Sequence, residues 1–327
     1  MLAILDTAVV SGLRGELVRV EVDVAPGLPG CHIVGLPDTA LSEARERVRS
    51  AIRNAGFAYP LSRITVNLAP ADRRKRGAAY DVAIAIGILL ASEQLRASGG
   101  SWALLGELSL DGGVMPVPGV LPMVATLRDA GHRRVCVPVA NQEEARLVAD
   151  VEVIGVDGLD DVARLVAGPR GRTAAAARRR APIRVAGEGR SGTDASRHAI
   201  RHEGASSDDQ RVTELADVRG QEHARWALEV AVAGRHNLLL IGSPGAGKTL
   251  LARATPGLLP PLSTSEAHDV AVIRSVAGSE QDGRERLVRP FLAPHHTSSG
   301  AAPESRVLGS LPPGVAPTAL RGRLPPR

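Results

Sequence analysis

Aromatic residues make up only 2% of this 327-residue chain, so its core must be built from Val, Leu, Ile and Ala, and a hydrophobic content of 44% supplies them. Cysteine is nearly missing. Cys31 and Cys136 can frame neither a disulfide scaffold nor a four-ligand zinc site, and they suit a reducing, cytoplasmic setting. The longest apolar run, Val82 to Ala91, falls short of the roughly 20 residues a bilayer-spanning helix needs. The opening Met-Leu-Ala-Ile-Leu-Asp carries no basic stretch, so no secretory signal is expected. These lacks predict a cytoplasmic protein with no membrane partner. A net charge of +5 permits a nucleic-acid partner without demanding one, and the wealth of Ala, Arg, Gly and Pro fits a GC-rich genome equally well.

What the chain does have is a phosphate-binding signature. Leu238-Leu-Leu-Ile-Gly242-Ser-Pro-Gly-Ala-Gly247-Lys248-Thr249-Leu-Leu-Ala passes from a short apolar stretch through Gly-x-x-x-x-Gly-Lys-Thr into a helical pattern. The spacing predicts a buried parallel strand over Leu238 to Ile241, a glycine loop and a helix. Glycines let backbone N–H groups turn inward as a nest for anionic oxygens, and the helix behind brings its positive dipole end to the same point. The candidate cofactor-binding residues are Gly242, Ser243, Pro244, Gly245, Ala246, Gly247, Lys248 and Thr249. Lys248 is a point charge for β- and γ-phosphates, and the Thr249 hydroxyl is the candidate Mg²⁺ ligand. ATP and Mg²⁺ are the cofactors expected. The alternative is a glycine turn with an incidental lysine, and the flanking strand and helix patterns weigh against it.

Hydrolysis needs one thing more: an acidic residue at the end of a later apolar strand. After Thr249 no four apolar residues lead into Asp-Glu or Asp-Asp. Asp269 precedes Val270-Ala-Val-Ile, and Asp282 sits in a polar turn. No catalytic residue is assigned.

Residues 1–168 read as one α/β domain. Val18-Arg-Val-Glu-Val-Asp-Val and Ile64-Thr-Val-Asn-Leu alternate as half-buried strands, and His32-Ile-Val reads as another. Asp38 or Thr39 can cap a helix that carries Leu41, Ala44, Val48, Ala51 and Ile52 at helical spacing. Arg45, Arg47, Arg49 and Arg53 form its other face, a solvated surface or a polyanion contact. Ala71 to Gly77 is a basic loop whose Arg73, Arg74, Lys75 and Arg76 are a candidate DNA contact. Tyr80 to Leu90 suits a buried helix, and Leu104 to Val114 a hairpin turning at Asp111-Gly112. A helix follows through Met123, Val124 and Leu127, then a strand at Arg134 to Pro138. Asn141 can cap a helix over Glu143 to Val148, and Val151 to Val156 is a last strand before a closing helix. Residues 169–211 lack periodicity and read as a basic, disordered linker; 303–327 read as a disordered, aberrant tail. In 212–302 a helix carries Ala224, Ala227, Leu228 and Ala231, Pro256 breaks the helix after the glycine loop, and Ser263 or Thr264 caps another through Ile273. His295 and His296 are adjacent, a poor arrangement for one metal.

Several stretches resemble a known family. Asp217-Val-Arg-Gly-Gln-Glu, His236-Asn-Leu-Leu-Leu-Ile-Gly-Ser-Pro-Gly-Ala-Gly-Lys-Thr, Pro256-Gly-Leu-Leu-Pro-Pro-Leu and Pro290-Phe-Leu-Ala-Pro-His-His-Thr are similar to the magnesium-chelatase-like AAA+ ATPases of the YifB/ComM type. Pro26-Gly-Leu-Pro, Val34-Gly-Leu-Pro-Asp, Val66-Asn-Leu-Ala-Pro-Ala-Asp and Tyr80-Asp-Val-Ala-Ile-Ala-Ile-Gly-Ile-Leu match that family's amino-terminal part, and the likeness runs from Met1 to about Ala302. The resemblance implies a ribosomal-S5-like, Lon-protease-like α/β domain followed by a partial P-loop AAA+ α/β domain. It also implies an ATP-driven motor acting on DNA, associated with competence and assembled as a homo-oligomeric ring. Lon-like proteolysis would need a Ser–Lys pair, but Gly77-Ala-Ala-Tyr-Asp holds no Ser and the Lys position falls at about Leu121, so no peptidase is expected. The strand with its acidic pair that follows in the family is missing after His295-His296-Thr. The expectation is therefore a truncated or frameshifted, hydrolysis-deficient ATP-binding chain, with ring assembly in doubt. The alternative is a non-enzymatic interaction or DNA-contact module acting through the first domain.

Overall fold

Alternation at Val18, Val20 and Val22 places three valines on one face of a strand, and in the computed structural model all three are buried. The structure describes residues 1–35, 39–70, 78–97, 101–168, 214–278 and 289–291. The expected Asp38 cap, the 71–77 basic loop, the 169–211 linker, the 295–296 histidine pair and the 303–327 tail lie outside them.

Strands β1 (Leu2–Ser11), β2 (Arg14–Ala25), β3 (Gly30–Val34) and β4 (Arg63–Ala69) form a sheet in the order β1-β2-β4-β3. The β1–β2 and β2–β4 pairs are antiparallel, whereas β3 and β4 are parallel, joined across α1 (Thr39–Asn54). β1 was not legible beforehand. Its pattern fails to alternate because both faces are covered at one end: Val9 enters one apolar cluster and Ala8 another.

Those two clusters are made by helices on opposite faces of the β1–β2 hairpin. On one face lies α2 (Asp81–Ala91), buried along nearly its whole length as its unbroken apolar run requires. Each fully buried Ile, Leu or Val there contributes about 1.5–3 kcal/mol. Gly87 permits this close approach: a Cβ added there would lie 2.6 Å from Val22 Cγ2. On the other face lies α3 (Val120–Asp129), with Leu121, Val124 and Leu127 buried among Ala8, Val10 and Leu17.

The hairpin around Asp111-Gly112 is present as β6 (Glu107–Leu108) and β7 (Val114–Met115). Leu104 belongs elsewhere, in β5 (Ala103–Leu104). That strand runs parallel to β8 (Arg134–Pro138), which pairs in parallel with β9 (Glu152–Val156). The helix after β8, α4 (Gln142–Ala145), is shorter than its sequence suggested, and Asn141 does not cap it. The Asn141 side chain reaches back to Val117, in the buried segment between β7 and α3, accepting from its N–H and donating to its carbonyl. α5 (Leu159–Ala167) closes the domain.

A second correction concerns α1. Ala44, Val48, Ala51 and Ile52 are buried as expected. Arg47, placed beforehand on the solvated face, instead points inward with its side chain only 17% exposed. It lies three residues after Ala44 and four before Ala51, so helical geometry sets it beside the apolar stripe.

The later part contains α6 (Glu222–Gly234), α7 (Lys248–Leu258) and α8 (Thr264–Val276). Pro256 sits inside the last turn of α7 and does not break it, since near a helix end a missing N–H costs only one bond. Ser263 caps α8 with Glu266 in a reciprocal capping box, as the sequence predicts.

Candidate functional site

The glycine loop lies between a stretch without regular structure and α7. Gly245 and Gly247 both have φ of 80°, the left-handed conformation that glycine adopts without penalty. Helix α7 begins at Lys248, immediately after Gly247. The helix is held from behind by Leu251 and Ala254, which pack with Leu215, Val218 and Leu228. Thus α6 and the short turn Leu215–Asp217 support the helix that presents the loop.

A cavity of about 270 Å³ opens along Gly245, Ala246, Gly247, Lys248, Thr249 and Leu250. A Cβ built on Gly245 or Gly247 would meet nothing within 4 Å, so the space in front of both is open. The Lys248 ammonium curls over the loop and donates to the carbonyl oxygens of Gly242 and Ser243 at 2.8 and 2.7 Å. All eight expected residues are therefore on one short segment: Gly242, Ser243 and Pro244 lead in, Gly245 to Gly247 turn, and Lys248 and Thr249 start the helix. Open glycine backbone, a helix start and a lysine amine fit an anionic phosphate chain. Thr249 is exposed and offers one hydroxyl. Among the described residues no three His, Cys, Asp or Glu side chains gather to hold a metal, so a Mg²⁺ here would need phosphate and water oxygens for most of its shell.

The expected strand before the loop is not formed. Residues 236–243 pair with no strand among the described residues, and Leu239 and Ile241 are 80% and 86% exposed. The local pattern suits a buried strand, but a strand is completed by neighbours, and among the described residues none pairs with it. Leu240 alone leans on the cluster beneath α7.

One contact escaped the sequence reading. Gln221 Nε2 donates to the Ala246 carbonyl at 3.3 Å, tying the start of α6 to the crest of the loop. Gly220 and Gln221 are successive residues with positive φ, and of these only the glycine is a signal in the sequence.

In the first domain, Ala79 and Leu121 share one apolar cluster, so the region where a Ser–Lys pair would be sought is filled with hydrocarbon. Cys136 is buried and its thiol is pushed up to about 12 by that burial, an inert structural cysteine. Cys31 is raised as well, mainly by burial and partly opposed by its hydrogen bond with Tyr59.

Comparison with known proteins places these features in context. Residues 20–141 match the family model for the subunit ChlI of Mg-chelatase, and residues 214–320 match that for magnesium chelatase, subunit ChlI. The second match continues past Ala302, where the sequence alone ended the likeness. The chain is 43% identical over 322 residues to an uncharacterized protein of Mycobacterium tuberculosis, covering 96% of this chain and 58% of that one. It is 40% identical over 299 residues to YifB of Escherichia coli and 38% identical over 299 residues to the competence protein ComM of Haemophilus influenzae, covering 91% of this chain and 54% of each. A weaker likeness, 26% over 170 residues, links 47% of this chain to 21% of the Lon protease of Halothermothrix orenii, consistent with a Lon-like α/β fold. The chain thus spans little more than half the length of the curated relatives it matches.

Proposed function

The chain belongs to the YifB/ComM-type, magnesium-chelatase-like family, and from that premise we propose that Gly242 to Thr249 bind the triphosphate of ATP with Mg²⁺ in a protein that acts on DNA. One observation carries the nucleotide reading: two open, left-handed glycines, Gly245 and Gly247, lie within three residues before the lysine that starts α7. Lys248 supplies the charge, and its two carbonyl partners keep the amine at the loop mouth until an anion takes their place. The Thr249 hydroxyl supplies an oxygen for the metal. When bound, Mg²⁺ would screen the phosphate charge.

After Thr249 the sequence has no four apolar residues leading into Asp-Glu or Asp-Asp, so the second half of the proposal is that residues 1–327 by themselves hold ATP without turning it over. The DNA part rests on the family resemblance and on the name of the Haemophilus relative, a competence protein. Titration with a fluorescent ATP analogue tests the cradle: the Lys248→Ala variant should lose at least about tenfold in affinity, the equivalent of 1.4 kcal/mol. Equal affinity in the two proteins would remove it. Phosphate release that Lys248→Ala abolishes would overturn the claim that no turnover occurs.

A second reading is favoured by the contrast between the closed core of residues 1–168 and the bare apolar run at 238–241. On this reading the first domain alone is the working unit, a non-enzymatic interaction or DNA-contact module. Limited proteolysis separates the two, because a stable fragment ending near residue 168 with the remainder digested supports only the second.

A further inference from the structure

Helix α8 belongs by chain order to the nucleotide-binding half, yet it packs on the first domain. Its Ala271 and Val272 lie against the cluster of Leu121, Val124 and Val137. By contrast, among the described residues none of α8 joins the cluster beneath the glycine loop, which is made by Leu215, Val218, Leu228, Leu251 and Ala254. The last turn of α8 makes polar contacts to the start of α3. The Ser275 carbonyl accepts from the Gly119 N–H at 2.8 Å, and the Ser275 hydroxyl accepts from the Leu121 N–H at 3.2 Å.

The chemistry of these contacts is that of a helix cap supplied from a distance. Residue Gly119 occupies the N-cap position of α3 and has no side chain to offer the unpaired N–H groups of the first turn. Ser275, 154 positions beyond Leu121, provides both acceptors and is only 3% exposed. The negative, carbonyl end of α8 thereby meets the positive, N–H end of α3, an alignment the peptide dipoles favour. Half-buried Glu144 stands beside the joint on α4, its Oε2 accepting from Asn141 Nδ2 at 3.5 Å.

We propose that the groove beside the start of α3 and α4 is a docking site whose occupant is this chain's own α8, and that this docking fastens the nucleotide-binding half to the first domain. The positional constraint on α8 then comes from Ser275 and its apolar neighbours Ala271 and Val272. The proposal does not depend on the loop binding ATP.

Proximity offers a direct test. A Cβ built on Gly278 lies 3.9 Å from Pro118 Cβ, within the range of about 3.5–4.5 Å that a disulfide spans. Mild oxidation of the full-length Pro118→Cys, Gly278→Cys double variant should therefore give an intrachain disulfide, seen as a 2 Da mass loss and a faster-migrating band. Each single variant should give none. Failure to cross-link, or a cross-linked dimer in its place, would overturn the proposal. In a second measurement, Val272→Asp should speed amide exchange at residues 119–124 at least tenfold and leave β2 unchanged. Unaltered exchange at 119–124, or uniform acceleration across the domain, would also sink it.

Discussion

Arg47 donates its Nε to Asp81 Oδ2 at 2.8 Å, joining α1 to α2 beneath the hairpin strand β6. The same oxygen accepts from the Leu108 N–H at 3.4 Å, and Glu107 Oε1 stands 3.8 Å from the guanidinium. Asp81 is fully buried, and its Oδ1 has no hydrogen-bond partner among the described residues. Burial pushes its carboxyl up to about 6 even though Arg47 pulls the other way.

A pH dependence follows. With a folded pKa above the ordinary 3.8, the folded state holds an extra proton between about pH 4 and 6. That contribution is fully present below the lower value and is lost as pH rises through the upper one. Replacing Asp81 by Asn removes it. The stability of the native chain relative to Asp81→Asn should therefore fall by on the order of 2–3 kcal/mol between pH 4 and pH 7. Urea unfolding of both proteins across that range checks it, and a constant difference would refute the assignment.

Much of the first domain was legible because its signals are local. The valines of β2, the apolar run of α2 and the Asp111-Gly112 turn each specify their element within a few residues. Arg47 was readable too, had its phase against Ala44 and Ala51 outweighed its charge. Asn141 was not, since its pairing with Val117 in place of the α4 terminus depends on a segment 24 positions away. At the loop, the glycine turn at Gly245 and Gly247 and the helix start at Lys248 were legible, but Leu238 to Ile241 misled: their pattern suits a strand, and pairing is a property of the neighbours. Gln221 was quoted for a family likeness without its contact to Ala246, which arises only when α6 and the loop come together.

The contact of α2 with the sheet is tight enough to test. Gly87→Ala would force a methyl to 2.6 Å from Val22 Cγ2 and should cost about 1–3 kcal/mol in chemical denaturation. Adding Val22→Ala should recover part of that loss, a coupling that a double-mutant cycle reads directly. Strict additivity would mean the two residues do not meet.

At the loop, stability and binding should separate. Gly247→Ala places a methyl in open space, so its structural cost is only that of the left-handed backbone, about 1–2 kcal/mol. The same methyl occupies the volume an anion needs. ATP-analogue affinity should therefore fall at least tenfold while the folded chain persists at room temperature. Retained affinity would place the nucleotide elsewhere.

Ser263 accepts from the Glu266 N–H, and Glu266 accepts from Ser263 in return, with Arg289 adding its guanidinium to the Glu266 carboxylate. Ser263→Ala should cost about 1 kcal/mol, confined to α8. Amide exchange at Glu266 and Ala267 should quicken while Val20 and Val22 keep their protection. Loss of protection throughout would show that the cap supports more than its own helix.

The bare stretch from Leu238 to Ile241 bears on the chain's shelf life. Backbone N–H and C=O groups that pair with no strand among the described residues, beside aliphatic side chains in water, make an adhesive: two molecules can pair along it, and a chaperone or protease cleft can take it up. The chain's persistence in a crowded cell then depends on how soon that edge is shielded, whatever affinity the neighbouring loop has for phosphate.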